Sequence, residues 1–144
     1  MGAGLYLHVP FCRRKCPYCN FYSVPAQPEL LTAYTAAVCR NLRHYGNAAQ
    51  PERVDTVYFG GGTPSLLLPA QIAQILEAAA EQFALSADAE ITLEANPATV
   101  TPEQLRELRH AGINRLSLGV QSLSDAQLKR LGRLHTAQEA VETV

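Results

Sequence analysis

The sequence alternates four times between a short apolar stretch and a longer stretch with helical spacing. The short stretches have the length and the residue types of strands, and the longer ones repeat apolar side chains every three or four residues. The predicted strands are Leu5–Val9, Val54–Phe59, Glu90–Glu94 and Arg115–Gly119. Repeated strand-helix units are typical of a parallel sheet joined by crossover helices. We therefore predict an α/β fold, either an open doubly wound sheet or part of a (β/α) barrel.

The helices of this pattern carry recognisable start and stop signals. Thr101 precedes Pro102, which predicts an N-cap with proline at the first helical position, and Gly112 predicts the C-terminal stop of the same helix. The other predicted helices are Pro28–Tyr45, Pro69–Phe83, a short one capped by Ser124 and ending at Leu131, and a last one capped by Thr136. The last helix is predicted to be still running at Val144, so we expect residues 1–144 to be the N-terminal part of a longer protein.

Composition and charge narrow the class of protein. The 144 residues are 47% hydrophobic and 17% charged, which predicts one globular unit with a single core. A net charge of −1 gives no electrostatic reason to expect binding to nucleic acid or to an anionic membrane. The sequence has neither a secretory signal pattern nor about 18 consecutive apolar residues, so we expect a cytoplasmic protein without a transmembrane segment. In a reducing cytosol, clustered cysteines are more often metal ligands or redox groups than disulfides.

Three of the four cysteines lie within eight residues, in the spacing Cys12-x3-Cys16-x2-Cys19 directly after the first strand. A zinc knuckle normally needs a second ligand pair, and Cys39 lies inside a predicted helix. Cys16 and Cys19 could form a thioredoxin-type redox pair, which leaves Cys12 without a role. Three thiolates on one loop instead suit a cubane iron–sulfur cluster in which one iron has no protein ligand. The intervening Arg13–Lys15 either offset the charge of the thiolates or form a solvated basic loop.

This spacing, with Tyr18 just before the third cysteine, resembles the radical S-adenosylmethionine (SAM) superfamily. The motifs YLHVPFCRRKCPYCNF, FGGGTPS, LEANP, LGVQS and GRLH are similar, in order and separation, to the oxygen-independent coproporphyrinogen III oxidase-like family. The resemblance runs from about Tyr6 to His135. It implies a partial (β/α) barrel of six units, of which this chain would supply four as the N-terminal part of the radical SAM core. The remaining units and any C-terminal domain would lie outside residues 1–144.

The resemblance also implies a cofactor site. Cys12, Cys16 and Cys19 would bind three irons of a [4Fe-4S] cluster, and the amino and carboxylate groups of SAM would chelate the fourth. The other cofactor-binding residues that the motifs imply are Tyr6, Tyr18, Gly62, Thr63, Glu94, Gln121 and Arg133. Glu94 would accept hydrogen bonds from ribose hydroxyls, and Arg133 would offer a forked partner to a carboxylate. No catalytic residue is assigned.

Several of these residues also have simpler interpretations. The glycines at 60–62 would let the backbone approach the amino end of SAM closely, and the less favoured alternative is a plain turn at a strand end. Asn96 and Pro97 are interpreted as a rigid turn that supports Glu94. His135 is interpreted as a histidine at a helix edge, without a physical role, and Cys39 as a small core residue.

Two departures from the oxidase pattern favour one branch of the family. Phe21 stands where the oxidases carry a further cysteine, and only a few residues precede Leu5 where the oxidases have an extra N-terminal segment. Both departures resemble the HemW-type haem chaperones, which bind haem and deliver it to client haemoproteins. The expected partners are therefore haem or another tetrapyrrole, a client haemoprotein and an electron donor. The alternatives are a radical SAM enzyme acting on a tetrapyrrole, such as the oxidase itself, and a non-catalytic metal-binding module. We expect little or no turnover from these 144 residues alone.

Overall fold

In the computed structural model, residues 2–48, 53–97 and 99–144 are described, and they form one four-stranded parallel sheet covered by helices. The strands are β1 (Ala3–Val9), β2 (Phe11–Cys12), β3 (Val24–Pro25), β4 (Arg53–Gly61), β5 (Ala84–Ala95) and β6 (Arg115–Leu118). The helices are α1 (Pro28–Ala48), α2 (Pro69–Gln82), α3 (Pro102–His110), α4 (Asp125–Arg130) and α5 (Ala137–Glu142), with a 3₁₀ turn at Pro64–Leu66. The sheet order is β1-β4-β5-β6, and β2 and β3 form a separate pair. The predicted α/β fold with a parallel sheet is confirmed.

The two faces of the sheet differ, because successive side chains of a strand point to opposite faces. Leu7, Phe59 and Leu93 are register partners on neighbouring strands and are buried in one core with apolar side chains of α1, α2 and α3. The opposite face carries the register row Tyr6, Tyr58, Thr92 and Arg115. All three crossover helices therefore pack on one side. This arrangement favours the partial barrel over a doubly wound sheet, which has helices on both faces.

The predicted first residue of strand β5 is wrong. The structure begins β5 at Ala84, whereas the sequence predicted Glu90. The first part of β5 pairs Val54 with Leu85, and the pairing then jumps to Thr56 with Glu90, so residues 86–89 interrupt the ladder. Ser86 and Asp88 alternate with Ala87 and Ala89, but alanine and aspartate are depleted in strands and these alanines bury little apolar area, which is why the sequence prediction left this segment out.

The predicted helix caps differ in outcome. Thr101 and Thr136 both cap as predicted, since each hydroxyl accepts a hydrogen bond from the backbone three residues later. The Ser124 hydroxyl makes no capping bond; its backbone N–H instead donates to Ser122 Oγ at 3.0 Å. The prediction that the last helix runs on at Val144 is also wrong, because α5 ends at Glu142, where the Thr143 hydroxyl donates to a main-chain carbonyl of the last turn.

Cys39 and the membrane prediction can be tested on the same structure. Cys39 is buried among core side chains, its thiol lies 3.6 Å from the carbonyl oxygen of Gln74, and burial raises its pKa. Its interpretation as a core residue is confirmed.

Among the described residues, no helix combines the length and the apolar character that crossing a bilayer requires.

Candidate functional site

The cysteine loop is anchored at both ends by the pairing of β2 with β3. Phe11 pairs with Val24 and Cys12 with Pro25. The backbone N–H of Val24 donates to the carbonyl of Pro10 at 2.8 Å, and that of Ala26 donates to the carbonyl of Cys12 at 3.1 Å. The loop is thereby closed beside the carboxyl end of β1, although two-residue strands leave no periodic signal in the sequence. All four cysteines of the chain are free thiols.

A cleft of about 320 Å³ lies between this loop and the carboxyl ends of β4, β5 and β6. Its lining includes every predicted site residue except Tyr6: Cys12, Cys16, Tyr18, Cys19, Gly62, Thr63, Glu94, Gln121 and Arg133. The residues come from five separate motifs of the sequence. The structure brings them together because the carboxyl ends of parallel strands share one edge of the sheet, where barrel proteins place their sites.

The glycine turn is shaped first by contacts within the protein. Gly61 has φ of +108°, and a Cβ there would lie 2.5 Å from the ring of His8. A Cβ on Gly62 would lie 2.5 Å from the carbonyl oxygen of Phe11. The backbone N–H groups of Gly61, Gly62 and Thr63 donate to Glu94 Oε2, Val9 O and Phe11 O respectively. A protonated amino group is a donor only, so this turn can offer it carbonyl oxygens and the Thr63 hydroxyl as acceptors.

Glu94 is held by two hydrogen bonds at the edge of the cleft. Its Oε1 accepts from the hydroxyl of Tyr58 at 2.7 Å, and its Oε2 accepts from the backbone N–H of Gly61 at 3.2 Å. A carboxylate has about four acceptor positions, so roughly two remain for a ligand with a pair of hydroxyls. The hydrogen bond to Glu94 also raises the pKa of Tyr58, which keeps the phenol protonated as a donor. Sequence reasoning missed Tyr58, although it lies on the same strand face as Gly60.

The two predicted tyrosines lie in different places. Tyr18 borders the cleft, and its hydroxyl accepts from Arg133 Nη1 at 3.4 Å. Tyr6 lies outside the cleft lining, on the sheet face opposite the helices. Its ring stacks there on Tyr58, with centroids 6.0 Å apart. Burial, with a smaller contribution from the nearby carboxylate of Glu94, raises the pKa of Tyr6.

Arg133 is already engaged with protein groups. Its Nη2 donates to Asn96 Oδ1 and, at 2.6 Å, to the carbonyl oxygen of Gly119. Its Nη1 lies 3.7 Å from Cys16 Sγ, and its Nε is the one buried side-chain nitrogen or oxygen without a hydrogen-bond partner in the described part of the chain. The guanidinium thus contacts the cysteine loop and also borders the cleft. Because Nη2 already donates to protein oxygens, only part of the guanidinium is available to a ligand carboxylate.

Gln121 and His135 have local features that the sequence did not predict. Gln121 lines the cleft from a backbone with φ of +67°, a conformation that a non-glycine residue rarely adopts. His135 lies at a helix edge as predicted, directly before the Thr136 N-cap of α5, but it is buried, and its Nε2 donates to the carbonyl oxygen of Val120 at 3.1 Å. That bond fixes the backbone next to Gln121, and it supplies the physical role that the sequence did not reveal. Strained backbone of this kind clusters at ligand sites.

The thiols fit a cluster better than a single ion. Within the described ranges, no three or more His, Cys, Asp or Glu side chains converge on a point where one metal ion could be held. Zinc requires such convergence at about 2.0–2.3 Å, whereas a cubane spreads its thiolates over separate irons. His8, which a zinc site could recruit as a fourth ligand, lies in β1 near the hydroxyl of Tyr6 and the carbonyl of Tyr22. The exposed Arg14 and Lys15 border the cleft and form no ion pair in the part of the chain that the structure describes.

Asn96 is the other residue that sequence reasoning undervalued. It was interpreted as a turn residue beneath Glu94, whereas its side chain contacts both Thr63 and Arg133. Its position directly after a strand, at the edge where the other motifs meet, is the signal that could have identified it.

Comparisons with known proteins place the chain in a family. The sequence profile of the Radical SAM superfamily matches residues 6–144. The mouse (Mus musculus) mitochondrial radical S-adenosyl methionine domain-containing protein 1 is 45% identical over 143 residues, which are 99% of this chain and 32% of the relative. The haem chaperone HemW of Escherichia coli (strain K12) is 44% identical over 138 residues, or 95% of this chain and 36% of the relative.

A solved structure agrees with the sequence matches. The coproporphyrinogen III oxidase HemN of Escherichia coli, a radical SAM enzyme, superposes with a TM-score of 0.85 at 30% identity, over 96% of this chain and 34% of that protein. The chain belongs to the radical SAM superfamily. Membership implies a [4Fe-4S] cluster and SAM as cofactors, and the chain spans about a third of the length of the relatives it matches.

Proposed function

We propose that this chain forms the cofactor-binding part of a radical SAM haem chaperone. The observation that carries the proposal is the single cleft lined by the three thiols on one side and by Glu94, Gln121 and Arg133 on the other. Thiolates suit iron, and carboxylate, amide and guanidinium groups suit the polar groups of SAM. Two independent resemblances, to a sequence family and to a solved structure, support the same cofactors.

Each residue of the cleft has a proposed role toward these cofactors. Cys12, Cys16 and Cys19 would hold the cluster, and Glu94 would orient the ribose with the acceptor positions left over from Tyr58 and Gly61. The carbonyl groups of the glycine turn would accept from the SAM amino group, because that group, when protonated, is a donor only. When bound and reduced, such a cluster supplies the electron that cleaves the sulfonium of SAM. The cationic Arg14 and Lys15 would offset its negative charge.

The choice of chaperone over oxidase rests on Phe21 and on the relatives. Phe21 borders the cleft and is 60% exposed, so no thiol stands at the position where the oxidase pattern has one. The 44% identical relative from Escherichia coli is named a haem chaperone, and the 30% identical structure is an oxidase. The proposed partners are haem or another tetrapyrrole, a client haemoprotein and an electron donor. The proposed location is the cytoplasm, although the mouse relative is named mitochondrial.

A comparison of haem binding and oxidase turnover tests the choice. Because the relatives are about three times as long, the longest form of the protein found in its cells is the sample to use. Absorbance titration with haem should give one haem per chain, and anaerobic incubation with SAM, reductant and coproporphyrinogen III should give no decarboxylated product. Product formation would show that the protein is an oxidase and would contradict the proposed chaperone function. Metal uptake with neither haem binding nor any response to SAM would contradict both functions and indicate a metal-binding module.

A further inference from the structure

The Asn96 side chain makes hydrogen bonds to two residues of the proposed cofactor site, Thr63 and Arg133. Its Nδ2 donates to Thr63 Oγ1 at 3.1 Å, and its Oδ1 accepts from Nη2 of Arg133. A guanidinium carries donors only, so the amide oxygen has to face Arg133 and the amide nitrogen has to face Thr63. The Asn96 side chain is therefore fixed in one orientation.

The hydrogen bonds continue from Asn96 to two thiols. Thr63 Oγ1 lies 3.7 Å from Cys12 Sγ, and Arg133 Nη1 lies 3.7 Å from Cys16 Sγ. Because the Thr63 hydroxyl accepts from Asn96, its own proton is directed toward Cys12. One amide thus controls the donors that face two of the three thiols.

The surroundings of Asn96 hold it in place. Its backbone carbonyl accepts from both the N–H and the hydroxyl of Thr99, and Pro97 beside it is fully buried. A Cβ on Gly119 would lie 3.0 Å from Asn96 Oδ1 and 3.3 Å from Arg133 Nη2, so glycine there makes room for the contact. These contacts go beyond what a plain turn beneath Glu94 requires.

We propose that Asn96 is a positioning residue that tunes the cluster, by directing hydrogen bonds from Thr63 and Arg133 to the sulfurs of Cys12 and Cys16. The inference rests on the proposed function, since it assumes that these thiols hold a cluster. Hydrogen bonds to the sulfurs stabilise the more negative, reduced cluster and so raise its reduction potential. Loss of the Asn96 amide is therefore expected to make the cluster harder to reduce.

Asn96→Asp and Thr63→Val test this in complementary ways. The carboxylate of N96D still pairs with Arg133 but cannot donate, so the Thr63 hydroxyl turns toward it and Cys12 loses its hydrogen bond. T63V removes the same hydrogen bond without adding charge and with little change of volume. Both variants should lower the reduction potential, measured in a redox titration of the reconstituted cluster followed by electron paramagnetic resonance (EPR) without SAM. Iron and sulfide content per chain confirms that each variant is loaded.

Two controls separate the hydrogen bond from other effects. Thr63→Ser keeps the hydroxyl and should keep the wild-type potential, and Asn41→Asp makes the same charge change on an exposed helical residue of α1. Wild-type potentials in both N96D and T63V would overturn the inference and leave the proposed function standing. A lower potential in N96D with an unchanged one in T63V would also overturn it, because charge alone would then explain the shift. A wild-type chain that takes up no cluster would overturn the proposed function and this inference together.

Discussion

At the scale of residues, the cleft depends on partners that hold the ligand-facing groups in position. Glu94 is oriented by Tyr58 from the neighbouring strand, and Arg133 by Asn96 and Gly119. Asn96 lies in the motif LEANP, and Tyr58 directly precedes the motif FGGGTPS. Their roles could not be predicted from the sequence, because the contacts join strands that are 33 or more residues apart and depend on the register between them.

Tyr58→Phe should weaken SAM binding about fivefold, because the lost hydrogen bond contributes roughly 1 kcal/mol to the orientation of Glu94. The measurement is the dissociation constant of SAM from the anaerobically reconstituted protein. Tyr45→Phe is the matched control, since Tyr45 is an exposed tyrosine of α1 that does not line the cleft. Equal affinities for wild type and Y58F would contradict the assigned role of Tyr58.

At the scale of elements, two helix caps that the sequence predicted alike differ in the hydrogen bonds that they make in the structure. Thr101 and Ser124 are both cap-type residues at predicted helix starts, but only the Thr101 hydroxyl accepts from a helix N–H, that of Gln104 at 3.2 Å. We expect Thr101→Ala to lower the free energy of unfolding by about 1 kcal/mol and Ser124→Ala to change it by only a few tenths. Urea denaturation measures both. Equal losses in the two variants would show that the difference between the caps has no energetic consequence.

Tyr34 connects helix α1 to the end of β1 and should make stability depend on alkaline pH. Its hydroxyl donates to the carbonyl oxygen of His8 at 2.6 Å, and burial raises its pKa to about 12. The unfolded tyrosine has a pKa of about 10, so the folded state favours the neutral phenol. The stability from this shift is fully present below about pH 10 and is lost as pH rises toward 12.

Tyr34→Phe removes this hydrogen bond and the ionisable group together. At about pH 8 the variant should be less stable than wild type by roughly 1 kcal/mol, and the gap should narrow above about pH 10. Denaturation at several pH values measures the gap. Because the other tyrosines titrate in both proteins, a gap that stays constant up to about pH 11.5 would argue against the raised pKa.

The alternating pattern predicted the main elements well, for a physical reason. Strands such as Val54–Phe59 and helices such as Pro69–Phe83 bury apolar faces, and burial leaves a periodic trace in the sequence. The β2–β3 pair is too short to leave one, and in the irregular segment at 86–89 only small alanines carry the alternation. The site residues were predicted from motifs, because a functional residue at a strand end has no periodicity of its own.

At the scale of the whole molecule, the sheet has one face covered by helices and one lined by Tyr6, Tyr58, Thr92 and Arg115. In a complete barrel the second face points inward, and the strand ends that form the cleft surround its mouth. The proposed cofactor site thus lies where the fold places chemistry. The central claim is that the three clustered thiols hold an open-iron cluster that responds to SAM.

EPR on the anaerobically reconstituted, dithionite-reduced protein, with and without SAM, tests that claim most directly. Cys16→Ala removes one proposed ligand, and Cys39→Ala is the matched control in the core. We expect wild type and C39A to give the signal of a reduced four-iron cluster that shifts when SAM is added, and C16A to lose it. A signal that ignores SAM, one that survives in C16A, or none in wild type would contradict the proposed site.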